Sequence, residues 1–148
     1  MIDPKELRIG NLLKTPDSNL KFKVAEIHLC PNGQYKVIDE RSIHQISWKG
    51  IELTEEWLLK FGAFTICETV SYSIVLSTGQ GQELLLEWSA NEWNAAIIKG
   101  DHEKPEYDIH IRELDCVHRL QNLYFALTGK ELTIKQSTPY NTINRRIN

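Results

Sequence analysis

Cysteine is scarce in this chain. There are three, Cys30, Cys67 and Cys116, and no Cys-x-x-Cys pair. An odd count without paired spacing excludes a disulfide framework and reads as reduced thiols that behave as small hydrophobes. Methionine occurs once, and glycine (8) and proline (5) show no bias. Collagen-like and low-complexity classes are therefore excluded. No apolar run approaches the ~20 residues needed to cross a bilayer. The opening Met1-Ile2-Asp3-Pro4-Lys5-Glu6 has no apolar signal core. A cytoplasmic protein without membrane contact is expected. Basic residues are nowhere concentrated beyond Arg145-Arg146, whereas strong non-specific nucleic-acid binding needs a concentrated basic face. Gly79-Gln80-Gly81 is no phosphate cradle, because no helix and no Lys-Ser/Thr follows it. Serine-hydrolase and His-Glu-x-x-His signals are missing too. Neither an enzyme activity nor a cofactor is expected.

What is present suits one domain, or two small ones pressed together: 148 residues, 41% hydrophobic and 25% charged. The net charge of −3 is uneven, with +2 over residues 1–50, −9 over 51–115 and +4 over 116–148. A basic end would suit an acidic middle.

Residues 1–50 read as four or five short strands. Gly10 interrupts an apolar stretch from Leu7 to Leu13, and Thr15–Asn19 is a turn. The parity shift between Val24 and Ile27 predicts a bulge, and Pro31-Asn32-Gly33 a hairpin. This pattern fits a small N-terminal β barrel of the Src-homology-3 type. From Thr54 to Gly62 the period changes. Thr54 suits an N-cap, Glu55-Glu56 suit the dipole, Trp57, Leu58 and Phe61 share a face, and Gly62 stops the helix. A meander of short antiparallel strands follows, from Ala63 to Ile111. A second helix runs from about Asp115 to Thr128, with Asp115 as the expected cap and Gly129 as the stop. Its apolar arc predicts that Leu120, Leu123 and Leu127 are all buried against the meander, near Ile109 and Ile111. Glu131–Lys135 is a candidate edge strand. The expected fold is α+β: a barrel-like subdomain over 1–50, a helix–antiparallel meander–helix unit over 51–135, and a polar tail over 136–148.

Three blocks carry a family resemblance: Glu6–Asn11, Leu53–Gly62 and Val117–Leu132, about a quarter of the chain. Together they resemble a family of short uncharacterised proteins from gut Bacteroidetes and their phages or mobile elements. The resemblance implies a bacterial or phage-encoded cytoplasmic protein and supplies no activity, cofactor or catalytic residue.

Several constellations fall short of chemistry. His110, Cys116 and His118, with His28 and Cys30, are the nearest approach to a zinc set. Cys116 lies on the apolar arc, however, with His118 about 160° around the helix. Cys116 as a nucleophile suffers from the same buried position. Asp101, Glu103, Glu106 and Asp108 read as a solvated loop. Of the tryptophans at 48, 57, 88 and 93, Trp57 belongs to the core, and Trp88 and Trp93 flank one tight turn as binding candidates. Phe125 lies outside the apolar arc, beside His118, Gln121 and Asn122, so its ring either packs against the N-terminal barrel or the tail, the favoured reading, or serves a partner. These four form the candidate partner surface. The expected function is a non-enzymatic interaction module of phage or mobile-element type with a protein partner, and the chain is compatible with a homo-oligomer. The alternative is nucleic-acid binding through the barrel, using Lys21, Lys23, Lys36 and Arg41.

Overall fold

The computed structural model describes residues 2–45, 47–67, 71–76, 81–99, 106–111 and 114–135, with residues 67 and 106–111 given by their backbone. The expected loop at 100–105 and tail at 136–148 lie outside the described residues. So do the side chains of Cys67, Glu106, Asp108, Ile109, His110 and Ile111.

Five strands come first: β1 (Leu12–Lys14), β2 (Lys21–Leu29), β3 (Tyr35–Asp39), β4 (His44–Gln45) and β5 (Lys49–Gly50). They form an antiparallel sheet in the order β4-β3-β2-β1-β5. The strand begins after Gly10, not across it. Gly10 takes φ +96°, a conformation that favours glycine, and a Cβ there would stand 3.0 Å from the Glu131 carboxylate. The register of β2 on β3 shifts between Val24 and Glu26, where the parity of the apolar residues changes. Asp39 ends β3 inside the next turn. Its carboxylate accepts from the Arg41 and Ile43 backbone N–H groups, the Gln45 amide and the Arg41 guanidinium. Burial pushes its pKa up, but these donors outweigh that and hold it below the usual value. Leu7, Leu13, Phe22, Val24, Val37 and Trp48 form the small core on one face of this sheet. Among the described residues no pairing joins β4 to β5, so no closed barrel is found.

Helix α1 (Glu55–Lys60) has Thr54 as its N-cap residue and buries Trp57 and Leu58. A second antiparallel sheet follows: β6 (Phe64–Cys67), β7 (Ser71–Val75), β8 (Gln82–Ser89), β9 (Glu92–Lys99) and β10 (Glu106–Ile111), in the order β10-β9-β8-β7-β6. The molecule is therefore mixed α+β and mostly β. Alternation puts Tyr72, Ile74, Leu84, Leu86, Trp93, Ala95 and Ile97 on one face, in the larger core.

Helix α2 (Val117–Thr128) fills that core with Val117, Leu120 and Tyr124. Leu120 is fully buried, whereas Leu123 and Leu127 are only partly covered. The expectation that all three leucines are buried therefore holds for Leu120 and is corrected for Leu123 and Leu127. Two other corrections concern the helix ends. Cys116, not Asp115, is the N-cap residue, and Asp115 instead pairs with Arg119 at 3.1 Å. No strand forms at 131–135. The Leu132 carbonyl accepts from Gln121, and Lys135 donates its backbone N–H to the Lys60 carbonyl. The segment is anchored at separate points, not by a ladder. Gly129 does end α2, at φ +68°.

The two sheets share α2. Leu13 points into the small core, while its neighbour Leu12 packs against the larger one. The 51–53 segment pairs with the entry to α2: Leu53 donates to the Asp115 carbonyl and Val117 to that of Ile51.

Candidate functional site

The four side chains of the candidate partner surface lie together, in the seam between α2 and the first sheet. Gln121 is 3% exposed. Its oxygen accepts from the Leu12 N–H at 2.8 Å, and its amide donates to the carbonyls of Gly10 (3.2 Å) and Leu132 (3.4 Å). Asn122 accepts from the buried Asn11 amide and donates to the Glu6 carbonyl. Phe125 is half-buried beneath Arg8, whose guanidinium carbon sits 3.4 Å from the ring centroid. Arg8 also bonds Glu131 at 2.8 Å. The chain's own N-terminal segment therefore covers much of this surface.

His118 is 1% exposed, and neither ring nitrogen has a hydrogen-bond partner among the described residues. A Cβ on Gly50 would stand 2.4 Å from the Cys116 sulfur and 3.5 Å from the His118 ring, so glycine is what admits both side chains at β5. Burial pushes the His118 pKa below its usual value. Arg119 lowers it further, while Glu6 and Asp115 oppose the shift. The unfolded chain then takes up a proton before the folded one does. Stability should be complete above about pH 6.5, the ordinary histidine value, and should fall as pH drops through the lowered folded pKa. Urea melts between pH 7.5 and 5 should show this loss, and the His118→Leu variant should show a flatter profile. Parallel profiles for the two proteins would assign the acid sensitivity elsewhere.

The same surroundings bear on catalysis and metals. Burial, then the Asp115 charge, pushes the Cys116 thiol up to about 11, the opposite of nucleophile activation. His28 bonds Glu26 at 2.6 Å, both side chains being exposed on β2. Among the described residues no group of three or more His, Cys, Asp or Glu side chains could hold a metal ion.

A second feature lies at the β8–β9 hairpin, beside the start of α2. The β8–β9 turn has only Ala90 and Asn91 at its tip, at φ +52° and +65°. A two-residue hairpin with both central residues left-handed matches the strand twist. It sets Trp88 directly opposite Trp93, with ring centroids 5.2 Å apart at 61°. Trp93 is buried and donates its indole N–H to the Leu53 carbonyl at 2.9 Å. Trp88 is 41% exposed, while Trp48, Trp57 and Trp93 are buried. Its indole N–H has no acceptor among the described residues.

Trp88 stands between two adjoining hollows of about 400 and 320 Å³. Glu52, Leu53, Trp88 and Trp93 line both. Asn91, Glu92, Asp115 and Arg119 complete the first, and Thr54, Glu55 and Tyr72 the second. Burial and the Glu55 carboxylate push the Tyr72 phenol up to about 12, so it stays a neutral donor to Glu55. Asp115 is paired with Arg119. Glu52 and Glu92 are exposed and make no ion pair among the described residues. The groove thus combines an aromatic floor with free negative charge. The tryptophan pair was visible in the sequence as Trp88-Ser89-Ala90-Asn91-Glu92-Trp93. Glu52, Glu55, Asp115 and Arg119 were not, because they arrive from separate segments. Compared with the models of known protein families, with curated proteins and with solved structures, the chain matches none.

Proposed function

We propose that this chain is a non-enzymatic interaction module that docks a segment of a partner protein in the Trp88 groove. The carrying observation is an indole 41% exposed over a groove of some hundreds of cubic ångströms, in a chain whose other tryptophans are buried. Exposed aromatic anchors beside pockets are the residues that dominate protein recognition. The raised Cys116 pKa supports the non-enzymatic part. A phage or mobile-element origin belongs to the same proposal and rests on the three sequence blocks. We also read the first sheet as a small barrel left open between β4 and β5, supported by its strand order and the bulge in β2.

Nucleic-acid binding through the first sheet has less support. Arg41 is held by Asp39, and Lys21 sits 5.1 Å from the centroid of the Trp57 ring.

The test is selection of a random peptide library on the immobilised protein, repeated with Trp88→Ala. Selected peptides should lose at least about tenfold in affinity on the variant, the loss of a modest hot spot. The variant should stay folded, with a urea melt lowered by only about 1–2 kcal/mol for the lost Trp88–Trp93 contact. If no selected peptide depends on Trp88, the reading falls.

A further inference from the structure

We infer that the groove's occupant is a basic peptide segment of a partner protein that lays an arginine over the Trp88 ring. This rests on the reading of the groove as a docking site and adds the chemistry of what docks.

Two other aromatic rings of the chain, those of Phe125 and Trp57, have a cation over them and a carboxylate bonded to that cation. Phe125 has Arg8 over its face at 3.4 Å, and the same guanidinium bonds Glu131. Trp57 has Lys21 and Lys60 at 5.1 and 4.9 Å from its centroid, and Lys60 bonds Glu56 at 2.5 Å. In each case a cation meets a ring face and a carboxylate together. The ring quadrupole and the anion attract the same group, so the two contributions reinforce each other. Trp88 has the ring and the carboxylates, Glu52 and Glu92, but among the described residues no cation stands over it. The one guanidinium among the described lining residues, Arg119, is engaged with Asp115 and Glu6.

Charge complementarity then selects the occupant. Among the described residues four carboxylates against one guanidinium line the two hollows, so an acidic segment or a phosphate is repelled. Arginine fits better than lysine because its planar group stacks on an indole while its edge bonds carboxylates. Extended side chains in a segment can fill both hollows on either side of Trp88.

The experiment uses the peptides selected on the full chain. Trp88 is the exposed tryptophan, so its fluorescence and acrylamide quenching report occupancy. Trp88-dependent peptides should be enriched in arginine. Replacing the key arginine by glutamine should weaken binding about tenfold, as should the Glu52→Gln, Glu92→Gln double variant of the protein. Raising salt from 50 to 500 mM should also weaken binding. Trp88-dependent peptides with no basic enrichment and no salt dependence would overturn the inference while leaving the docking site standing. Absence of any Trp88-dependent peptide would remove both. A dimer dispersed by Trp88→Ala would give the groove to a second copy. Easier quenching of Trp88 on Arg145→Gln with Arg146→Gln would give it to the chain's own tail. Either result overturns the partner.

Discussion

Leu120→Ala should lower the free energy of unfolding by about 2–5 kcal/mol, because it removes transfer energy and leaves a cavity in close-packed surroundings. Leu120 has no exposed surface and sits among Val117, Tyr124 and the apolar face of the second sheet. That loss is a large part of a typical net stability of about 5–15 kcal/mol. Leu123, three residues on, is only partly covered, and Leu123→Ala should cost about 1–2 kcal/mol. Urea melts of both variants check the orientation of α2. Equal losses, or a larger loss at Leu123, would mean that the helix is rotated from the described position.

Gln121→Leu should cost roughly 2–4 kcal/mol despite adding an apolar side chain. It strands the Leu12 N–H and the Gly10 carbonyl at the seam, and a buried group left without its partner costs roughly 1–3 kcal/mol. Gln121→Glu is the sharper test. A carboxylate can still accept from Leu12 but turns its second oxygen toward the Gly10 and Leu132 carbonyls. Its folded pKa should then be raised, so this variant should lose stability as pH rises through the carboxylate range, the reverse of the His118 effect. A pH-independent Gln121→Glu variant, or a harmless Gln121→Leu, would show that the seam does not depend on this amide.

The contrast between Leu120 and Gln121 shows what the sequence could convey. Periodicity marks which face of a helix is apolar, so α2, its apolar arc and its Gly129 stop were legible. It does not show that a second element covers the polar face. Here β1 and β5 lie against that face, so His118 and Gln121 are as buried as the leucine between them. The β2 bulge was legible for a local reason, a parity change within four residues. Barrel closure was not, since it depends on strands β4 and β5 meeting across the whole first sheet. The aromatic half of the groove was readable from one hairpin. Its acidic half depends on residues 52, 55 and 115, which only the tertiary fold brings to Trp88.

The dependence of both sheets on α2 also sets an order in time. The bond from Leu12 to Gln121 spans 109 residues, and that from Glu6 to Asn122 spans 116. While the ribosome is still adding the residues before Val117, the helix that covers Leu12 on one side and the face of β7–β9 on the other does not yet exist. The strands can pair as they emerge and the small core of the first sheet can close on its own, but the inner face of the second sheet stays incompletely covered until nearly the whole described chain is out. Such late, long-range closure slows folding and exposes apolar strands to aggregation meanwhile. A chain released before α2 should therefore be a target for chaperones or proteases, and the last dozen helical residues act as the step that commits the rest.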